Sequence, residues 1–349
     1  MIAQISLLGG LLACSSARPV FENGKLSRET PTELGQVAFS RDFEASLVRA
    51  RRESKPVFLL FQEIPGCATC VAFGQGPLSH PLLVEAIEEL FVPVAVYNNR
   101  GGADRTLLER YSEPAWNNPV VRFLDPDGTD LIERRSGVWS TRAIVARMSA
   151  ALVAAGQERP TWFMLLASEL EDVETASAVF AMPCFWSGEA KLGGLDGVLN
   201  TRAGWHAGRE VVEVTYDPER LDWQSLLGQA RRSGCASTVW VPDAGRASDE
   251  THHLEGSVRA AKSSDQLYYL GHSPLRLLPL TPLQARRLNN ALAANRPVDT
   301  WLSARQRQIA RRLEQLDAAS TARLADWNRP TDHPGLAQYT RDLEHALGL

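Results

Sequence analysis

Lysine is almost missing from this chain: of 37 basic residues only Lys25, Lys55, Lys191 and Lys262 are lysine, the rest arginine. With 41 acidic residues the formal charge is −4, so there is no strongly basic field to attract nucleic acid. Cysteine is scarce as well. Five thiols in 349 residues (Cys14, Cys67, Cys70, Cys184 and Cys235) cannot staple a chain of this size as a disulfide scaffold. An odd, small number points instead to chemistry at particular thiols. Beyond Ala17 no apolar run is long enough to span a bilayer. There is no internal repeat and no segment of low complexity. What remains is ordinary globular composition, 44% hydrophobic and 22% charged. The length exceeds one typical core, which leads us to expect two domains with appendages.

The pattern along the chain places two of the thiol sites at strand-to-helix turns. Val57–Phe61 is a continuous apolar run, the mark of a strand covered on both faces. Ile64-Pro65-Gly66-Cys67-Ala68-Thr69-Cys70 follows it. The spacing predicts helices over 39–52, 82–90 and 141–155, with Gly156 as a stop, and strands over 91–97, 119–124 and 131–134. After the polar Gln157–Pro160 stretch, a short strand ends at Ala181-Met182-Pro183-Cys184-Phe185-Trp186. Strands over 198–205 and 210–216 and a helix over 221–230 follow, and 281–312 is mostly helical.

Strands that alternate with helices and then form a hairpin resemble the thioredoxin arrangement. Cys67-Ala68-Thr69-Cys70 resembles its redox turn, and Asn118-Pro119 stands where that family holds a cis-proline against the dithiol. Ile64–Cys70 is also similar to a bacterial group of thioredoxin-like selenoproteins reading Val-Pro-Gly-selenocysteine-x-x-Thr. Cys67 stands at the selenocysteine position, and Cys70 replaces the Thr, which favours dithiol chemistry.

A thiol in the first turn of a helix meets the positive end of the dipole and free N–H groups, which favour the nucleophilic thiolate. Pro183-Cys184-Phe185-Trp186-Ser187, Glu189, Asp196-Gly197-Val198, Gly204-Trp205 and Glu210–Pro218 resemble, in order, the core of type A peptide methionine sulfoxide reductases. The resemblance implies that Cys184 is the nucleophile, that Phe185 and Trp186 hold the substrate methyl, and that Glu210 protonates the sulfoxide oxygen. Two flanking glycines of the motif are replaced by Pro183 and Ser187, and the loop between Gly204 and Glu210 is shorter than in that family. Asp265, Tyr268 or Tyr269 could match a further Asp and Tyr of the family, with no register to fix them.

The implied chemistry leaves a sulfenic acid on Cys184, which a second thiol condenses to a disulfide. Cys235 is the other thiol in that part of the chain. Exchange with Cys67 and Cys70 then restores it, and an external thiol recharges the dithiol. The substrate is an oxidised protein or peptide; no cofactor is implied. The expected class is α/β (α+β): a thioredoxin-like domain over 36–157, a methionine sulfoxide reductase A-like domain over 158–300 and a helical extension over 301–349. Residues 1–35 read as a signal or lipoprotein segment and tether, with Cys14 as the lipidated residue of an exported, periplasmic or membrane-anchored protein; otherwise the protein is cytoplasmic. Met1–Ala17 has no basic residue ahead of its apolar run, so a frayed apolar terminus is the alternative.

Plainer readings stand beside each site. Cys67 and Cys70 could hold copper(I), whereas zinc lacks a second ligand pair in the sequence. Cys184 could be a small buried hydrophobe, Glu210 a solvated strand end, and the reductase-like half a partner-binding scaffold that has lost its catalysis. His252-His253 reads as exposed loop, His206 as a turn residue, and Arg305–Arg312 as the wet face of a helix.

Overall fold

In the computed structural model of the protein the described residues are 21–22, 25–26, 30–243, 251–330 and 333–349. Cys14 and the rest of Met1–Ala17 lie outside them. β1 (Phe21–Glu22) and β2 (Lys25–Leu26) form a small antiparallel pair. α1 (Phe43–Glu53) begins where the Asp42 side chain accepts the Ala45 N–H, and ends where Ser54 turns left-handed. Next come β3 (Val57–Gln62), α2 (Ala68–Gln75), α3 (Pro81–Leu90), β4 (Val92–Tyr97), α4 (Ala103–Arg110) and β5 (Val120–Leu124).

The three strands β3 to β5 form one sheet in the order β4-β3-β5, with β3 parallel to β4 and antiparallel to β5. Every residue of β3 is buried because both faces are covered. Phe58 and Leu60 face one apolar cluster; Val57, Leu59 and Phe61 face another. Phe58, Phe91 and Phe123 meet edge to face, with centroids 5.5, 5.7 and 6.3 Å apart. Pro93 is tolerated because β4 is the outer strand of this sheet; beside it Ser40 donates its N–H to Pro93 O at 3.0 Å.

The strand expected over 131–134 does not form. The turn after β5 returns the chain only as far as the Leu124–Asp130 bridge and the Leu131 N–H to Phe123 O bond. Beyond that, side-chain pairing sets the path: buried Glu113 takes both Arg122 Nε and Arg134 Nη2 at 2.8 Å. α5 (Thr141–Ala154), capped by Ser140, and α6 (Thr161–Leu170) close this side. Trp162, Phe163 and Leu166 of α6 enter the same cluster as Phe58.

A six-stranded sheet follows, in the order β10-β9-β6-β8-β7-β11. Its elements in chain order are β6 (Ala176–Ala181), α7 (Phe185–Gly193), β7 (Val198–His206), β8 (Arg209–Tyr216), α8 (Trp223–Arg232), β9 (Thr238–Val241), β10 (His252–His253) and β11 (Arg259–Ala260). Ala207 and Gly208 join β7 to β8 with both residues at positive φ, a two-residue hairpin turn of the type that matches strand twist. This is the structural form of the short loop noted in the sequence. His252 and His253 are exposed, as expected, but on a short strand parallel to β9.

The last part is helical, with α9 (Tyr268–Gly271), α10 (Pro282–Ala293), α11 (Ala304–Glu314), α12 (Ala318–Arg323) and α13 (His333–Leu347); α9, α10, α11 and α13 share an apolar cluster from Leu270 to Leu347, which Leu324 joins just after α12. Capping boxes start α10 at Thr281 and α11 at Ser303. α11 docks on α3: the Ser303 hydroxyl donates to Glu85, and the Ala304 N–H donates to Glu89 Oε2 at 2.8 Å. Arg305 and Arg307, read as part of a wet face, instead pair with Glu344 and Glu89. The whole is a mixed α/β fold with a helical C-terminal part. Among the described residues no helix is long and apolar enough to cross a membrane.

Candidate redox sites

The dithiol turn is built from the end of β3 into α2. Cys67 is the exposed N-cap of α2, and Cys70 is buried one turn later. Their sulfurs lie 3.3 Å apart. The Cys70 backbone N–H donates to the Cys67 sulfur and holds that thiol below its ordinary value, against the opposing effect of burial. Burial, reinforced by the bond to Cys67, pushes Cys70 up to about 11. One sulfur is therefore poised to attack while its neighbour keeps its proton.

The turn is held from three sides. Glu33 Oε1 accepts the Gly66 N–H at 2.7 Å, and Asn99 Oδ1 accepts that of Ile64 at 3.3 Å. Asn118 Oδ1 accepts the Glu63 N–H at 3.3 Å and the Cys70 thiol. Gly66 has no room for a side chain, since a Cβ would overlap Glu63 O and crowd the Cys70 side chain. The Asn118–Pro119 bond is cis, as is Ile64–Pro65, and it is the Asn118 side chain that reaches the Cys70 thiol. Glu63, Cys67 and Cys70 also bring ligand atoms within 4.8 Å of one another, three donors for one soft cation.

The second thiol, Cys184, is half-buried at the N-cap of α7, one position ahead of the first helical turn expected for it. The carboxylate of Glu210 reaches the same helix head: its Oε2 accepts the Phe185 N–H at 2.7 Å. β-sheet pairing puts it there, because Glu210 on β8 lies opposite Trp205 on β7, and its carbonyl accepts the Met182 N–H at 3.1 Å just before the cysteine. Phe185 is buried and meets Trp205 edge to face at 5.5 Å. Trp186 stacks on Tyr268 with centroids 4.0 Å apart and planes at 16°, and its Nε1–H donates to Asp265 Oδ1 at 3.2 Å. Asp265 and Tyr268 both reach Trp186, while Tyr269 meets Tyr268 edge to face at 5.7 Å.

The loop that delivers Asp265 and Tyr268 is tied down by Glu189, part of the motif that follows Cys184, and by Gln266, which the sequence did not single out. Buried Glu189 on α7 accepts the Leu267 N–H at 2.6 Å while Leu267 itself is left-handed at φ 46°. Burial raises the Glu189 carboxyl above its ordinary value. Gln266 exchanges two side-chain bonds with the Ala203 backbone, at 2.9 and 3.0 Å. Nothing in the local sequence marks these contacts, since each partner lies more than sixty residues away. Cys235 is buried in the cluster of Leu226 and Val239, its sulfur 3.6 Å from Ser233 O. His206 packs edge-on against Trp240 at 4.9 Å. The two thiol sites thus have separate sets of neighbours: Glu33, Asn99 and Asn118 for the first, Glu210 and the Trp186–Tyr268 stack for the second.

Residues 38–126 match the thioredoxin-like family. They form a thioredoxin-like domain. The chain is also similar in part to peptide methionine sulfoxide reductases. To the MsrA 2 protein of Caulobacter vibrioides it is 32% identical over 103 residues, 25% of this chain and 48% of that protein. To MsrA 2 of Rhizobium meliloti it is 34% identical over 83 residues, 20% of this chain and 41% of that protein. The chain thus spans about half the length, or less, of the curated relatives it matches. A solved DsbH oxidoreductase covers 38% of this chain and 95% of its own at 19% identity and a TM-score of 0.29, too low to carry a structural argument.

Proposed function

We propose that this protein is a thiol oxidoreductase that reduces a methionine-type sulfoxide at Cys184, with electrons supplied through Cys67 and Cys70. The observation that carries the reading is the head of α7, where a half-buried thiol, a carboxyl group and an aromatic wall converge. In the first step the Cys184 sulfur attacks the sulfoxide sulfur and Glu210 gives a proton to the oxygen. The thioether leaves, and Cys184 keeps the oxygen as a sulfenic acid. A second thiol then condenses with it, releasing water and forming a disulfide. Cys67, the exposed and more acidic of the pair, attacks that disulfide; Cys70 displaces the product thiol and closes the Cys67–Cys70 disulfide. An external dithiol returns two electrons to close the cycle. Buried Cys235 can serve as the condensing thiol only if its segment opens; otherwise Cys67 condenses directly.

The test is turnover of free and peptide-bound methionine sulfoxide with dithiothreitol, for the wild type and Cys184→Ser. The expected result is loss of turnover in the variant and dimedone labelling of Cys184 in the oxidised wild type. Equal turnover in the two proteins rejects the reading. A second reading, copper(I) binding, is favoured by the clustering of Glu63, Cys67 and Cys70. Anaerobic copper(I) titration of the wild type against Cys67→Ser separates it, since only a metal site loses stoichiometric binding.

A further inference from the structure

Three residues stand in one row across the sheet beside Cys184. Glu210 on β8 lies opposite Trp205 on β7, and Trp205 lies opposite Arg259 on β11. Directly opposed residues of antiparallel strands project from the same face, so all three share the face on which Phe185 meets Trp205. With neighbouring strands about 5 Å apart, the Arg259 backbone sits roughly 10 Å from that of Glu210, at the rim of the aromatic wall. β11 is held close to β7 there. A Cβ on Gly204 would overlap Val258 and the Arg259 carbonyl, and the Ala261 N–H donates to Ala203 O at 3.0 Å. β11 is also the outer strand of the sheet, and Arg259 is exposed on it.

The Arg259 guanidinium lies over the Trp205 ring, 5.7 Å from its centroid. Stacking engages the flat face of a guanidinium and leaves its N–H edge free to donate. Among the described residues Arg259 has no carboxylate partner, whereas Arg202 on β7 is spent on Glu213 at 2.6 Å. We propose that Arg259 is a specificity residue of the Cys184 site and holds a carboxylate of the sulfoxide substrate. The proposal rests on sulfoxide reduction at Cys184 and adds the substrate class: free methionine sulfoxide, or one that ends a peptide, rather than one inside a neutral stretch. A methionine sulfoxide whose sulfur meets the half-buried thiol keeps its main chain toward solvent, and Arg259 is the cation on the exposed side of Trp205. The chain carries −4 overall, so a local cation, not the general field, must attract an anionic substrate. A charge on an outer strand also discourages edge-to-edge association. That role alone predicts no discrimination between an acid and its amide.

The experiment titrates the full chain carrying Cys184→Ser with N-acetylmethionine sulfoxide and with its methylamide, followed by tryptophan fluorescence. The two ligands share the sulfoxide and differ only in the carboxylate. The acid is expected to bind about three- to tenfold more tightly at low salt. The difference should collapse at about 0.5 M sodium chloride. Arg259→Gln in the same background should equalise the two ligands, whereas Lys262→Gln, which removes another exposed cation of the same segment, should leave most of the preference. Four results overturn the inference: no binding of either ligand, equal affinity for both, a preference that survives Arg259→Gln, or a preference lost equally in Lys262→Gln. The last would mean that the rim acts only through its summed charge. Turnover of the same two compounds by the wild type keeps the two readings apart. Turnover with no preference for the acid would leave sulfoxide reduction standing and remove Arg259; a preference in binding without turnover would do the reverse.

Discussion

At the scale of single residues, the dithiol turn separates two chemically identical side chains by where their hydrogen bonds come from. Cys67 receives backbone N–H groups of its own helix start and is held below an ordinary thiol; Cys70 is buried and pushed up to about 11. Thiolate forms as pH rises through the pKa, so iodoacetamide should label Cys67 at a pH where Cys70 is still fully protonated. Mass spectrometry of partially alkylated protein checks this, and equal labelling of the two at neutral pH would contradict the assignment of Cys67 as attacker. At the second site Glu210→Gln keeps an oxygen to accept the Phe185 N–H, so the helix head should stay in place while the proton donor is lost. Turnover of methionine sulfoxide should fall by about 10²–10⁴-fold, with melting temperature nearly unchanged. A variant as active as the wild type would remove Glu210 from the chemistry. The residues around both thiols were only partly legible beforehand. Cys67, Cys70, Cys184, Phe185, Trp186, Glu189 and Glu210 lie in local motifs; Glu33, Asn99 and the Asp265–Tyr268 pair reach their sites from distant segments.

At the scale of elements, packing at the start of α7 is unusually close. Gly188 faces Met182 so tightly that an added Cβ would overlap the methionine sulfur. Gly188→Ala should therefore cost about 1–3 kcal/mol, the usual range for overpacking a filled core. Adding Met182→Ala should recover part of that loss, because the thioether is the obstructing group. Denaturant titration of the two variants measures both effects; a Gly188→Ala protein as stable as the wild type would show that the methionine swings aside at no cost. Elements with a strong pattern were readable from the chain. Val57–Gln62 announces a doubly covered strand by being apolar throughout, and Arg209–Tyr216 by alternating. α4 was not readable, because Ala103–Arg110 is mostly polar and buries only Leu108. The strand expected over 131–134 failed for a related reason. Its β-like pattern was outweighed by the pull of Arg134 toward buried Glu113, an interaction invisible to periodicity.

At the scale of the molecule, α11 presses its N-terminus onto α3 of the thioredoxin-like domain through Glu85 and Glu89. The two acids do different work. Glu89 meets the Ala304 N–H and Arg307, as a carboxylate at a helix start should. Glu85 is buried, which raises its carboxyl from 4.5 to about 7; the Ser303 hydroxyl bond and then Arg305 oppose the rise, and Glu89 and Glu344 reinforce it. The sign follows from that direction. A carboxyl whose folded value lies above its unfolded one binds its proton more tightly in the native state, so its contribution is complete below about pH 4.5 and is lost as pH rises through about 7. At about 1.4 kcal/mol per unit, the loss between those limits is roughly 3 kcal/mol. Thermal melts at pH 5 and pH 8 should show the wild type losing stability toward pH 8, and Glu85→Gln, which keeps an oxygen for Ser303 but carries no charge, losing markedly less. The difference between the two proteins isolates this carboxyl from acids whose values are lowered, such as Glu53 at about 2, which act only below the same window. Parallel pH slopes in the two proteins would mean that Glu85 is charged without penalty, and that α11 is held on α3 by its other contacts alone.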